Sequence, residues 1–168
     1  MSDKVTQLSE LLGRHLLQSH SSITTAESCT GGGIAKALTD ISGCSSYFEG
    51  SFVTYSEQSK QRFLGVSSAT LHQYGVVSEA IAREMAEGAC QAYSANYAIS
   101  VTGYAGPGGG STDKPVGTVC FGFASVTEKT STRLCHFSGD REAIRQQAVA
   151  FALATALEIF FKIKLDTV

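Results

Sequence analysis

A serine that closes a short β-branched run and precedes three glycines stands where a hydroxyl can be made into a nucleophile. In Thr25-Ala-Glu-Ser-Cys-Thr-Gly-Gly-Gly33, Ser28 falls between an expected strand and an expected helix. Unpaired N–H groups and the positive end of a helix dipole converge at such a junction and favour developing negative charge. The same turn can expose the hydroxyl above a sheet while neighbouring amides, here those of Gly31 and Gly32, receive the oxyanion of a tetrahedral intermediate. The segment fits a second reading as well, in which Ser28 caps the helix and the glycines turn the chain or cradle a phosphate.

A serine hydroxyl is a weak nucleophile and needs a base. The four histidines, His15, His20, His72 and His136, carry no motif around them, so a Ser-His triad has no support. Lysine can serve if its pKa falls from about 10.4 toward 7–8, a shift of about 4 kcal/mol that the surrounding structure must hold. Phe52-Val-Thr-Tyr-Ser-Glu-Gln-Ser-Lys60 offers Lys60 just past a strand end, with Tyr55 on the strand terminus. Taken alone, these two also fit a solvated lysine and a packing tyrosine. Cys29 is a rival nucleophile, intrinsically more reactive than a hydroxyl but without a histidine partner.

The chain of 168 residues, 43% hydrophobic, fits one domain over 1–168 with a continuous core. A net charge of −2 provides no broad basic surface for a nucleic acid. The N-terminus lacks the basic start and apolar stretch of a signal peptide, and no run approaches the roughly 18 apolar residues of a membrane span. A cytoplasmic protein without membrane or nucleic-acid partners is expected. Cys29, Cys44, Cys90, Cys120 and Cys135 are widely spread, with no C-x-x-C pair and no metal-ligand spacing. They read as reduced core thiols, and no metal is expected.

Apolar spacing predicts a helix over Lys4–Gln18, a strand at Ser22–Ala26, a helix at Ile34–Ile41 and a strand over Tyr47–Tyr55. Helical segments follow at Gln58–Leu64, Ser68–Gln73 and, capped by Ser78, Glu79–Tyr93. Tyr97–Val101 reads as a buried strand ending in the glycine-rich loop Thr102–Gly110. A hairpin of Gly117–Val126 and Thr130–Phe137 precedes a last helix that Asp140 starts. Interleaved helices and strands with one adjacent strand pair predict a single three-layer α/β domain, a mixed β-sheet with helices on both faces.

Taken together, A-E-S-C-T-G-G, F-V-T-Y-S-x-x-x-K, G-V-V-S-E, T-G-x-A-G-P-x-G-G, K-P-V-G-T-V and F-x-G-D-R closely resemble the CinA C-terminal domain family, from about Leu8 to Phe160. The stand-alone members of that family are nicotinamide-nucleotide amidases. The resemblance implies a Ser-Lys hydrolase that converts nicotinamide mononucleotide to nicotinic acid mononucleotide and ammonia, with no cofactor. It implies Ser28 as nucleophile, Lys60 as base and Tyr55 as a possible relay. Some paralogues of the family look like enzymes but replace this tyrosine by phenylalanine, so Tyr55 argues for an active member. A non-catalytic nucleotide-binding module is the alternative of another class. Thr102 and Gly103 are further oxyanion candidates. Gly106 and Arg141 are candidates for the nucleotide ribose and phosphate, Arg141 near the start of the last helix. The resemblance also implies a homodimer, and the lack of the large N-terminal domain of fused members leads to the expectation of a complete stand-alone chain.

Overall fold

Apolar residues at helical spacing place Val5, Leu8, Leu12 and Leu16 on one buried face of the first helix, α1 (Asp3–Gln18). The computed structural model describes residues 3–165; residues 1, 2 and 166–168 of the expected domain lie outside the described residues. After α1 come β1 (Ile23–Glu27), α2 (Gly33–Thr39), a 3₁₀ turn at Cys44–Ser46, β2 (Phe52–Val53) and α3 (Glu57–Leu64). The chain continues through α4 (Ser68–Tyr74), α5 (Glu79–Tyr93), β3 (Tyr97–Gly103), β4 (Thr118–Ser125), β5 (Ser131–His136) and α6 (Arg141–Phe161). The expected caps are in place: Ser78 accepts from the Ile81 N–H and Asp140 from the Ala143 N–H.

The sheet runs β2-β1-β3-β4-β5, with β2, β1 and β3 parallel and β4 and β5 antiparallel to their neighbours. Alternate residues of β3 serve two cores, as the period of a strand requires. Ile99 and Val101 face the cluster built with Leu12, Leu38 and Leu153 of α1, α2 and α6. Ala98 faces Leu64, Leu71 and Met85 of α3, α4 and α5. Helices therefore cover both faces of a mixed sheet, the three-layer α/β domain that the element order predicts.

Two expectations need correction. The strand expected over Tyr47–Tyr55 shrinks to an isolated bridge between Phe48 and Ile23 and to the two residues of β2. Threonine side chains of β1 take over part of the ladder there, Thr24 donating to the Gly50 carbonyl at 2.7 Å and Thr25 pairing with the Ser51 hydroxyl at 2.6 Å. Helix α6, by length and composition, is apolar enough to cross a membrane. Its apolar residues Ile144, Ala148, Ala152, Leu153 and Leu157 instead pack into the main core, so its hydropathy belongs to packing.

The chain leaves β1 through α2 on one face and β2 through α3–α5 on the other. The carboxyl ends of β1 and β3 thus border a crevice of the kind in which open α/β sheets place their ligands.

Candidate active site

The turn after β1 is held from below by a buried carboxylate. Glu27, the last residue of β1, has no solvent exposure, and both of its oxygens are doubly engaged. One accepts from the Thr30 hydroxyl (2.7 Å) and the Ile34 N–H (2.9 Å), the other from the Thr25 hydroxyl and the Ala35 N–H (both 2.8 Å). The positive end of α2 is therefore already neutralised by Glu27. The Gly31 N–H is also spent, donating to the Ser28 carbonyl at 3.0 Å. Gly31 and Gly32 have φ of 61° and 96°, left-handed values that glycine adopts without strain, and they serve the turn itself. They are absent from the lining of the cleft in which Ser28 opens, so the expected oxyanion role of the Gly31-Gly32 turn finds no support in this geometry.

Lys60 reaches that cleft because of its place on α3. Lys60 and Leu64, one turn apart, are the two buried positions of this short helix, so the amphipathic pattern carries the amine inward. The residue is fully buried. Its Nζ lies 3.0 Å from Ser28 Oγ, 2.8 Å from the Thr54 carbonyl and 3.1 Å from the Tyr55 carbonyl. Burial pushes the amine down from 10.5 to about 8, against smaller opposing pulls from Cys29 and Glu57. A neutral lysine has two N–H bonds and one lone pair. In the structure the amine donates to Ser28 Oγ as well as to the two carbonyls, and the Ser28 hydroxyl donates to the Tyr55 carbonyl at 3.4 Å; once the amine is neutral, the carbonyls can keep its two N–H bonds and its lone pair can turn to the Ser28 hydroxyl.

Tyr55 contributes to this cluster through its backbone. Its side chain is more than half exposed, and its hydroxyl accepts from Arg141 Nη2 at 2.9 Å. No hydrogen bond joins that hydroxyl to Ser28 or Lys60, so a proton relay through the phenol is not assembled in this arrangement. Arg141 also donates to the Gly106 carbonyl at 2.7 Å, tying the glycine-rich loop to the start of α6. Asp140 occupies the α6 N-cap position, leaving the Arg141 guanidinium as the group there that can meet an anion.

Ser28, Tyr55, Lys60, Thr102, Gly103, Gly106 and Arg141 all line one cleft of about 210 Å³. Val76, Val77, Tyr104 and Ala105 give it an apolar wall. Gly103 ends β3, and the antiparallel register makes Tyr104 the residue that donates to β4, through Thr118. The N–H of Gly103 therefore faces the β1 side, where Ser28 stands. Thr102 is held by its hydroxyl donating to the Val76 carbonyl at 3.0 Å. The Cys29 thiol is buried and pushed up to about 12, chiefly by burial, so it is protonated at neutral pH and unsuited to attack.

Three residues escape a reading of spacing alone. Glu27 acts on the turn through contacts within eight residues of itself, and Arg145 through long-range bonds of its guanidinium to the Cys29 and Thr30 carbonyls. Lys114 donates to the Tyr74 and Val77 carbonyls at 2.8 and 2.6 Å and fixes the far end of the glycine-rich loop. The one local signal is the charge of Glu27 at the end of a buried strand. A larger hollow of about 860 Å³, at the other end of the strands, is bordered by Glu84, Glu87 and Glu128. Its carboxylates Glu84 and Glu87 are engaged in holding neighbouring elements, accepting from the Thr70 and Thr130 hydroxyls.

Residues 5–160 match the model of the CinA C-terminal domain. The chain is 51% identical over 159 residues to the nicotinamide-nucleotide amidohydrolase PncC of Escherichia coli strain K12, covering 95% of this chain and 96% of that one. It is 53% identical over 163 residues to the enzyme of the same name from Enterobacter agglomerans, covering 96% and 99%. Among solved structures, a competence/damage inducible protein from Agrobacterium tumefaciens superposes with a TM-score of 0.93 at 37% identity, covering 95% of this chain and 98% of that one.

Proposed function

Because the chain belongs to the CinA C-terminal domain family, we propose that it is a nicotinamide-nucleotide amidohydrolase, releasing ammonia from nicotinamide mononucleotide and leaving nicotinic acid mononucleotide. The observation that carries this reading is the buried Lys60 amine, 3.0 Å from Ser28 Oγ with its two spare hydrogens occupied by backbone carbonyls. The name of a relative 51% identical over nearly the whole chain, a nicotinamide-nucleotide amidohydrolase, supports the substrate.

In the proposed reaction, neutral Lys60 takes the Ser28 hydroxyl proton as Oγ bonds to the carboxamide carbon. The Gly103 N–H, aimed into the β1 side of the crevice, stabilises the oxyanion that forms. Lys60 then passes its proton to the departing nitrogen, the C–N bond breaks, and ammonia leaves an acyl-Ser28. Water gives a proton to Lys60 and its oxygen to the acyl carbon. The second tetrahedral species collapses, Ser28 Oγ recovers the proton and the carboxylic acid product departs. The apolar wall of Val76, Val77 and Ala105 suits a pyridine ring, and Arg141 suits the phosphate by a bidentate, charge-assisted pair. This reading places a homodimeric enzyme in the cytoplasm.

Purified protein offered nicotinamide mononucleotide, nicotinamide riboside and nicotinamide tests it by ammonia release. Turnover of the mononucleotide that vanishes in Ser28→Ala is expected. Binding without ammonia release means a nucleotide-binding module instead.

A further inference from the structure

Arg145 lies on α6, one turn beyond Arg141, and the hydrolytic scheme above does not use it. Its Nε donates to the Cys29 carbonyl at 3.1 Å and one terminal nitrogen donates to the Thr30 carbonyl at 3.3 Å. These are the two carbonyls that follow Ser28. Of the backbone bonds of the turn, the Ser28 N–H donates to the Val101 carbonyl of β3, while Gly31 donates to the Ser28 carbonyl and Gly33 to the Thr30 carbonyl within the turn. Arg145 is thus the side chain that links the nucleophile turn to the opposite end of the chain. The turn is shaped to admit it, since a Cβ on Gly31 would come within 2.9 Å of the guanidinium.

We infer that Arg145 is a positioning residue for Ser28: its guanidinium pins the Cys29 and Thr30 carbonyls and so fixes the Thr30–Gly31 peptide, whose N–H donates to the Ser28 carbonyl, and through that bond the aim of Ser28 Oγ at Lys60. A planar peptide group turns as a unit, so a carbonyl held against α6 also fixes the N–H on the other side of the same plane. A misplacement of the reacting hydroxyl by about 1 Å is enough to cost roughly 100-fold in rate. Glu27 ties the turn to α2 and Arg145 ties it to α6, and the two restraints act on different peptide groups. A lysine at position 145 ends in one compact ammonium, which cannot reproduce the planar fork that sets Nε on the Cys29 carbonyl and a separate terminal nitrogen on the Thr30 carbonyl.

The outer side of the guanidinium borders a separate cavity of about 410 Å³, formed with Thr30, Gly33, Lys36, Glu142 and Gln146. A free guanidinium ion can therefore enter the space that truncation of Arg145 leaves. This supplies a readout that lost packing alone does not move.

The inference rests on the Ser-Lys reading, and the test separates the two. Arg145→Lys, Arg145→Gln and Arg145→Ala are compared with the unmodified protein for kcat and KM of ammonia release, for the rate at which an aryl fluorophosphonate modifies Ser28, and for thermal unfolding. The expected result for Arg145→Gln is kcat down about 30-fold or more, with KM within about threefold and fluorophosphonate labelling slowed in step. Arg145→Lys should fall between, and millimolar guanidinium chloride should restore part of the labelling rate of Arg145→Ala. Wild-type kcat and labelling in Arg145→Gln overturn the inference. So does a loss that tracks a lowered melting temperature and yields neither to lysine nor to guanidinium. An unmodified protein that labels at Ser28 yet releases no ammonia from nicotinamide mononucleotide counts against the substrate alone, because labelling still reports on Arg145.

Discussion

The backbone carbonyl of Tyr55, and not its phenol, touches the Lys60 amine, at 3.1 Å. The phenol instead accepts from Arg141. Tyr55→Phe therefore leaves the dyad intact and removes a hydrogen bond to a charged group, worth about 1.5–3 kcal/mol where buried and less at this exposed position. The expected outcome is a loss of roughly tenfold in kcat/KM, carried by KM, with the pH dependence unmoved. Steady-state kinetics across pH check it; a displaced pH limb means the phenol does act on the dyad.

Removal of the amine has the opposite character. Lys60→Ala takes away the base and leaves the cleft wall of Val76, Val77 and Arg141 untouched. Turnover should fall by about 10³-fold or more while calorimetry still detects nucleotide binding. Activity near the wild-type level excludes Lys60 as base.

The depressed amine also sets two pH dependences. With Lys60 at about 8, the competent neutral form is scarce below pH 8, so kcat/KM should drop about tenfold for each unit on that acid side. For stability, the unfolded chain keeps the proton up to its ordinary pKa of 10.5, whereas the folded chain has released it above about 8. Between these values unfolding takes up a proton, and stability rises with pH. Relative to Lys60→Met, the wild-type protein should gain about 3 kcal/mol across that window. Urea titrations of both proteins from pH 7 to 10.5 measure the difference, and a constant offset denies the depressed amine.

Much of this site was readable from residue order. Ser28, Lys60 and Tyr55 sit in segments whose local grammar, a strand, a glycine turn and a capped helix, depends on neighbours a few residues away. The helices and the β4–β5 hairpin were legible for the same reason. Position within the cleft was not, because it depends on contacts between distant segments. The threonine-to-backbone bonds that shorten β2, the Arg141–Tyr55 pair and the Glu27 carboxylate under α2 each join residues whose meeting no periodicity encodes. Gly31 illustrates the difference: its glycine was plain in the sequence, while its reason, room for Arg145, lies 114 residues further along.

Glu27 offers a test of that hidden support. Glu27→Gln keeps the shape but replaces one doubly accepting oxygen by an NH₂ group, so at least one of the Ile34 and Ala35 amides loses its acceptor. The cost should be about 2 kcal/mol, or roughly 6 °C in melting temperature for a chain of this length. Unchanged melting with normal activity removes Glu27 from the account of the turn.

Lys114 tests the glycine-rich loop. The loop is closed at its base, where Gly117 donates to the Tyr104 carbonyl and Tyr104 to the Thr118 carbonyl, and within its tip by Ser111 donating to the Lys114 carbonyl. Lys114 Nζ then fastens it to the Tyr74 and Val77 carbonyls, the segment whose Val76 and Val77 form the apolar wall of the cleft. Lys114→Ala leaves Ser28 and Lys60 as they are, but frees the wall from the loop. The loss should appear as a rise in KM of about tenfold with kcat held within about threefold, together with faster proteolytic cutting between residues 104 and 116. A lowered kcat at unchanged KM implies instead that the loop acts on the reacting atoms, through the Gly103 N–H at its root.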